Sequence, residues 1–263
     1  MKNRKNWIIT VLALLLCISL GGNVYLYTHR QTVVQYTVEQ EPYTHQYDET
    51  VPYNGEGESK GELRVLYVGN SITQHATCDY WWGDWGMAAS SREMDYVHQL
   101  ADMLSGEYDV SFSLSQLSQW EIMGHDRHEG LQLLESEMKN EYDLVVIQLG
   151  ENVPAGDATF QTDFADLVEY IQSLQDVKIY VVGNFWPDEG TDAAKQASCD
   201  GESVIWVGLD GLNTPEYKAG MGTMVEGLDG TQHAIEHQGV SIHPGDAGMT
   251  AIAQRLYDAI QAG

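Results

Sequence analysis

From Leu63 onward, short apolar runs alternate with segments whose apolar residues recur at helical spacing, and this alternation narrows the fold more than any other feature of the chain. The runs at 63–68, 110–114, 144–149, 179–182 and 204–207 have the length of buried strands; the third is bounded by Asp143 and Gly150. Between them, Val97, Leu100, Ala101 and Leu104 keep helical spacing up to Gly106, and Leu131, Leu134 and Met138 suggest another helix. Phe160, Phe164, Leu167, Val168, Ile171 and Leu174 form one apolar helix face, and Met249, Ile252, Leu256 and Ile260 form a closing one. Strands that alternate with helices imply a mostly parallel five-stranded sheet covered on both faces, a three-layer α/β domain over 62–263. In such sheets ligands bind beyond the carboxyl ends of the strands, which directs the search for chemistry.

The residues before this domain are of a different kind. Lys2, Arg4 and Lys5 precede an uncharged stretch from Asn6 to Thr28. Basic residues ahead of an apolar run mark the cytoplasmic side, with the following chain exported. Two readings of 1–28 compete: an uncleaved single-pass membrane anchor, favoured because apolar residues resume from Val24 to Tyr27, and a signal segment cleaved after Gly21, which would release the chain. Residues 29–61 lack aliphatic periodicity and contain Pro42, Pro52 and a Gly/Glu-rich run, as expected of an extracytoplasmic stalk. Beyond the first thirty residues, nine basic face thirty-nine acidic residues, a formal charge of −30. Such a surface repels nucleic acid and anionic lipid, so the membrane is met only through the N-terminal helix. Cys78 and Cys199 are the cysteines outside the anchor; a disulfide and two free thiols are both open.

Three segments at strand ends or in loops carry reactive polar residues. Gly69-Asn70-Ser71 follows the first strand, where a glycine turn presents a serine hydroxyl near an expected helix start. Gly150-Glu151-Asn152 follows the third, and an amide there suits a developing oxyanion. His243-Pro244 lies on a short loop before the last helix, a position from which an imidazole can act as base toward a serine. Each alone is an ordinary turn residue; their order and placement together are specific.

With these three blocks the chain resembles the SGNH (GDSL-type) hydrolases, over about 62–263. Gly69-Asn70-Ser71 is similar to that family's Gly-Asp-Ser block, Gly150-Glu151-Asn152 to its Gly-x-Asn-Asp block with Val153 at the last position, and His243 to its histidine block. The resemblance implies a flavodoxin-like α/β/α sandwich and an esterase, lipase or carbohydrate deacetylase that requires neither metal nor organic cofactor. It assigns Ser71 as nucleophile, His243 as base, and Asn152 with the backbone N–H of Ser71 as oxyanion donors. Two departures stand out. Val240 occupies the position three before the histidine where the family carries an acid, which leaves a Ser–His dyad, an orienting backbone carbonyl, or Asp246 or Glu236 as substitutes. The stretch 113–118 lacks the family's oxyanion glycine, and Ser118 lies where its N–H would be.

The segment 79–87 interleaves Trp81, Trp82 and Trp85 with Asp79 and Asp84, and flat aromatic faces suit sugar rings or acyl chains. Together with Asn70, Glu151, Trp120, Glu121 and Trp186, these tryptophans are candidates for the substrate cleft; burial as core is the competing reading. His233-Ala234-Ile235-Glu236-His237 has the spacing of a zinc motif, but Gly230 and Gly239 leave room only for a loop over the cleft. The expected function is a membrane-anchored serine esterase that removes O-acyl groups, O-acetyl among them, from small-molecule or glycan esters. A glycan-binding domain without catalysis and an O-acyltransferase are the alternatives.

Overall fold

The structure, a computed structural model, describes residues 47–263. The expected anchor and most of the expected stalk lie outside the described residues. Among the described residues no helix is long and apolar enough to cross a membrane. In chain order the main elements are β1 (Glu49–Val51), β2 (Glu62–Gly69), α1 (Tyr96–Ser105), β3 (Asp109–Gln116), α2 (Ser118–Ile122), α3 (Arg127–Gly130), β4 (Leu144–Gln148) and α4 (Phe160–Leu174). They are followed by β5 (Lys178–Val182), α5 (Glu189–Gln196), β6 (Val204–Val207), β7 (Met224–Glu226), β8 (Gln232–Ala234), α6 (Gln238–Ser241) and α7 (Asp246–Ala262).

The central sheet has the order β1-β3-β2-β4-β5-β6. Every pairing in it is parallel except β1 on β3. The five parallel strands thus follow the flavodoxin-like order, and the direction of winding reverses between β2 and β4. Alternation along each strand separates two cores. Val65 and Tyr67 of β2 face a layer formed with α1 and α7, in which Leu100, Ile252 and Leu256 are fully buried. Leu66 and Val68 face the opposite layer, filled by Phe164, Leu167 and Ile171 of α4. Each such fully buried side chain contributes about 1.5–3 kcal/mol. Asp95 caps α1 by accepting from the His98 N–H, and Asp188 caps α5 by accepting from the Thr191 N–H.

Three features depart from the sequence reading, and one choice that it left open, the state of the cysteines, is resolved. The sheet has six strands rather than five, because Glu49–Val51 pairs along the edge of β3. Residues assigned to the stalk therefore belong to the folded domain, and Asn54 and Lys60 also donate backbone hydrogen bonds to Ser105 and Glu107. Leu131 and Leu134 sit in one short 3₁₀ turn and Met138 in another, not in a continuous α-helix. Cys78 and Cys199 are free thiols packed against opposite core layers, with the sheet between them. Burial pushes the Cys199 thiol up to about 11.

Candidate active site

The carboxyl ends of β2 and β4, on either side of the reversal, carry Ser71 and Asn152, and the loop before α7 brings His243 to meet them. Gly69 closes β2 so tightly that a Cβ there would lie 1.8 Å from the Thr73 hydroxyl. The chain then makes one hydrogen-bonded turn, with Thr73 and Gln74 N–H groups donating to the Asn70 carbonyl, before it leaves as an irregular loop. Ser71 therefore sits on a turn and not at the start of a helix. Its carbonyl accepts from the Met87 N–H, while its own N–H makes no backbone hydrogen bond among the described residues.

The Ser71 hydroxyl lies 2.9 Å from His243 Nε2. On the other side of the ring, His243 Nδ1 is 2.8 Å from the Gly239 carbonyl. A carbonyl only accepts, so Nδ1 carries the proton and Nε2 presents its lone pair to the serine. Asp246 does not serve the imidazole, because its carboxylate accepts from the backbone N–H and hydroxyl of Ser90. Val240 is buried in the core. Burial pushes the His243 imidazole down to about 4, opposed by the Gly239 hydrogen bond and helped by nearby His75 and His237. The group is thus a neutral base throughout the mildly acidic and neutral range. If it is the essential base, kcat/KM on an ester will stay level as pH falls from 7 to about 5 and reach half its plateau near pH 4. A pH–rate profile with its acid limb near 6.5 would contradict this. Fold stability will move in the same direction: between about pH 6.5 and 4 the unfolded chain takes up a proton that buried His243 refuses, so stability declines as pH falls.

Beneath the serine lies a buried polar knot. Glu121, fully buried at the end of α2, accepts from the Asn70 side chain (3.1 Å) and the Gly150 N–H through one oxygen, and from the Asn152 side chain through the other. Asn70 also donates to Glu151 (2.8 Å) and accepts from the Ile72 N–H. Glu151 in turn accepts from the Phe185 N–H. Burial and the neighbouring Glu151 charge raise the Glu121 pKa, while the donors from Asn152, Gly150 and Asn70 oppose that rise. These partners explain why position 70 holds an amide where the resembled motif has Asp: a side chain facing two carboxylates must donate. Asn70→Asp will set three acids against one another and lower stability by about 3 kcal/mol at neutral pH. Protonation will recover part of that loss, so a melting temperature that rises from about pH 8 to about pH 5 relative to wild type is the expected signature.

Two buried cations brace this knot. Lys195 donates to the Leu149 and Val182 carbonyls and to Asn184, tying together the ends of β4 and β5. Arg127 donates to the carbonyls of Trp120 and Glu121 and to Asp157 and Asp163. Gly150 takes φ +131°, and a Cβ there would lie 2.4 Å from Asn184 Oδ1, so only glycine fits between β4 and this brace.

An open cleft of about 310 Å³ lies over Ser71 and His243, with Asn152 and Ser118 on its wall. Of the aromatic candidates, Trp81, Trp85 and Trp120 do not line it. They are 0%, 4% and 0% exposed, and their indole N–H groups bond to the His75, Ala89 and Arg127 carbonyls inside the core. Trp82 is half-buried and stacks on His233, away from the cleft wall. Trp186 packs edge-on against His243 at 4.8 Å and donates to the Ile242 carbonyl, so it backs the imidazole. Asn70 and Glu151 lie under the serine rather than on the cleft wall. The aromatic surface on the cleft is instead Tyr80, 41% exposed and stacked on His237 at 4.2 Å. The zinc-like spacing falls on β8 and the turn after it. His233 there bonds Asp229, while His237 lies against Tyr80, so the two imidazoles do not share a helical face.

No family model matches the chain, and neither does any curated protein. Solved structures do. A two-domain esterase active on acetylated mannans is 13% identical with a TM-score of 0.47; the match covers 77% of this chain and 49% of that one. This chain thus spans about half the length of that protein. A family two carbohydrate esterase from Clostridium thermocellum, in complex with cellohexaose, is 18% identical with a TM-score of 0.45, over 76% of this chain and 64% of that one. A family 3 carbohydrate esterase from the same organism is 15% identical with a TM-score of 0.47, over 76% and 96%.

Proposed function

We propose that this protein is a serine esterase of the SGNH type that hydrolyses O-acyl esters through a Ser71–His243 dyad. The observation that carries the proposal is the hydroxyl 2.9 Å from a neutral, correctly protonated imidazole whose far nitrogen is held by a carbonyl. His243 Nε2 takes the Ser71 proton as the oxygen attacks the ester carbonyl, then returns it to the departing alcohol. Water, activated by the same nitrogen, releases the acid from the acyl-enzyme. Asn152, exposed on the cleft wall with one amide hydrogen on Glu121 and the second free to point at substrate, donates to the oxyanion together with the Ser71 N–H. Ser118 opens α2, where the first N–H groups have no intrahelical acceptor, and its N–H is the third donor. Replacing Asn152 with Ala will lower kcat by about 10²–10³-fold with little change in KM. Steady-state kinetics on an aryl acetate measures both.

The substrate class proposed is an acylated glycan, because Tyr80 offers an exposed ring beside the nucleophile and the cleft is open rather than a closed acyl pocket. The domain is proposed to work outside the membrane on the anchor at 1–28. The test is covalent labelling: a fluorophosphonate probe is expected to add to Ser71, located by mass spectrometry of the peptide, and to block release of acetate from acetylated oligosaccharides. Absence of both labelling and acetate release from folded protein would overturn the esterase. Val240 in place of an acid favours one other reading, a glycan-binding domain; that reading is supported if such protein binds oligosaccharides without turnover.

A further inference from the structure

We propose that Glu121 is a positioning residue that aims the Asn152 amide and the Gly150–Asn152 turn at the reacting carbonyl. The inference rests on the esterase reading above. Among the described residues, every hydrogen bond that reaches the Glu121 carboxylate comes from an N–H: the Asn70 side chain and the Gly150 backbone on one oxygen, the Asn152 side chain on the other. A carboxylate has no donor of its own, so it dictates that Asn152 turns its NH₂ end, and not its carbonyl, toward the protein. One amide hydrogen is consumed by Glu121 and the geometry leaves the other directed away from it, on the side that lines the cleft. The same side chain joins the loops after β2 and β4, since Asn70 precedes the nucleophile. It therefore sets the distance between Ser71 and its oxyanion donor.

Glu121 is itself fixed. It is fully buried, its backbone carbonyl accepts from Arg127, and it lies on α2 just beyond Ser118. A buried anion of this kind would be a poor choice for stability alone, as an apolar residue of similar size often does as well or better. A role in orientation accounts for its three convergent donors. It also predicts that glutamine is not a silent replacement for Glu121. The Nε2 of the new amide would face either Asn152 or the Gly150–Asn70 pair, donor against donor, and would leave one of them turned away.

The test is a double-mutant cycle on the whole chain with Glu121→Gln and Asn152→Ala, read as kcat and KM on an aryl acetate with labelling of Ser71 by fluorophosphonate alongside. Glu121→Gln is expected to lower kcat on the order of 100-fold with KM nearly unchanged. In the Asn152→Ala background the same change is expected to cost less than about threefold, because its target is gone. Full additivity of the two losses, or wild-type kcat in Glu121→Gln, would overturn the positioning role while leaving the esterase intact. Should Glu121→Gln fail to fold, Glu121→Asp, which keeps the charge and draws it back by one methylene, takes its place in the cycle with the same expectations. A wild-type protein that neither labels nor hydrolyses overturns the esterase reading first and the positioning role with it.

Discussion

Ser71→Ala is expected to abolish ester hydrolysis, lowering kcat by about 10⁴–10⁶-fold while the protein melts within a degree or two of wild type. The size follows from how a nucleophile and its base act as one unit: once either is gone, what remains is binding and oxyanion stabilisation, worth far less than the covalent route. His243→Ala is expected to lose about as much, and the double variant scarcely more, because each single change already removes the step. The stability expectation follows from the site. The Ser71 side chain is half-buried, its hydroxyl is paired with His243, and the turn that holds it is made by backbone hydrogen bonds of Asn70, Thr73 and Met87 that alanine preserves. Turnover on an aryl ester with matched thermal melts checks both halves. Retention of more than about 1% of wild-type kcat in Ser71→Ala would mean that the chemistry lies elsewhere.

The largest effect on the fold is expected at Arg127, which does not line the cleft. Its guanidinium is fully buried and donates to two carbonyls and two carboxylates. It also lies over the Trp120 and Phe160 rings. Arg127→Ala strands Asp157 and Asp163 without their cation, orphans the Trp120 and Glu121 carbonyls, and opens a cavity among large rings. Breaking a buried pair from one side costs about 3–5 kcal/mol. For a domain of this size that corresponds to a fall in melting temperature of roughly 10 °C. Arg127→Lys is expected to recover little, because one ammonium cannot span four acceptors in a plane. A melt within about 2 °C of wild type would show that these contacts are dispensable.

Although β2 is interrupted at Arg64 and β3 alternates apolar residues with serine, much of the architecture was legible because β4, β5 and β6 are largely apolar runs and the long helices α4 and α7 keep one apolar face. β1 was not, since Glu-Thr-Val is too short and polar to be told from a linker; its place comes from an open edge on β3. The positions of Ser71, Asn152 and His243 could be anticipated from the rule that chemistry gathers where parallel strands end. Their support could not. Glu121 lies between Trp120 and Ile122 with no pattern of its own, and its importance comes from three donors that arrive from two other loops. The Gly239 carbonyl that holds His243 has no side chain to read at all. Of the two readings open for the tryptophans of 79–87, Trp81 and Trp85 follow the core one, Trp82 is half-buried, and the ring that reaches the cleft from this segment is Tyr80, which the tryptophan pattern did not single out.

The carbonyl behind His243 has a further consequence for the fate of the acyl group. An acid at that position would place a negative charge beside the imidazolium that forms in each half of the cycle; a neutral oxygen orients the ring but lends it only a dipole. Under the proposed mechanism both acylation and deacylation climb without that compensation, and the acyl-serine persists longer between them. A long-lived intermediate in an open cleft is intercepted by whichever hydroxyl arrives first. Under that mechanism water and an alcohol would compete for the acyl-serine through the same His243 base, so their relative concentrations above Ser71 would set where the acyl group goes.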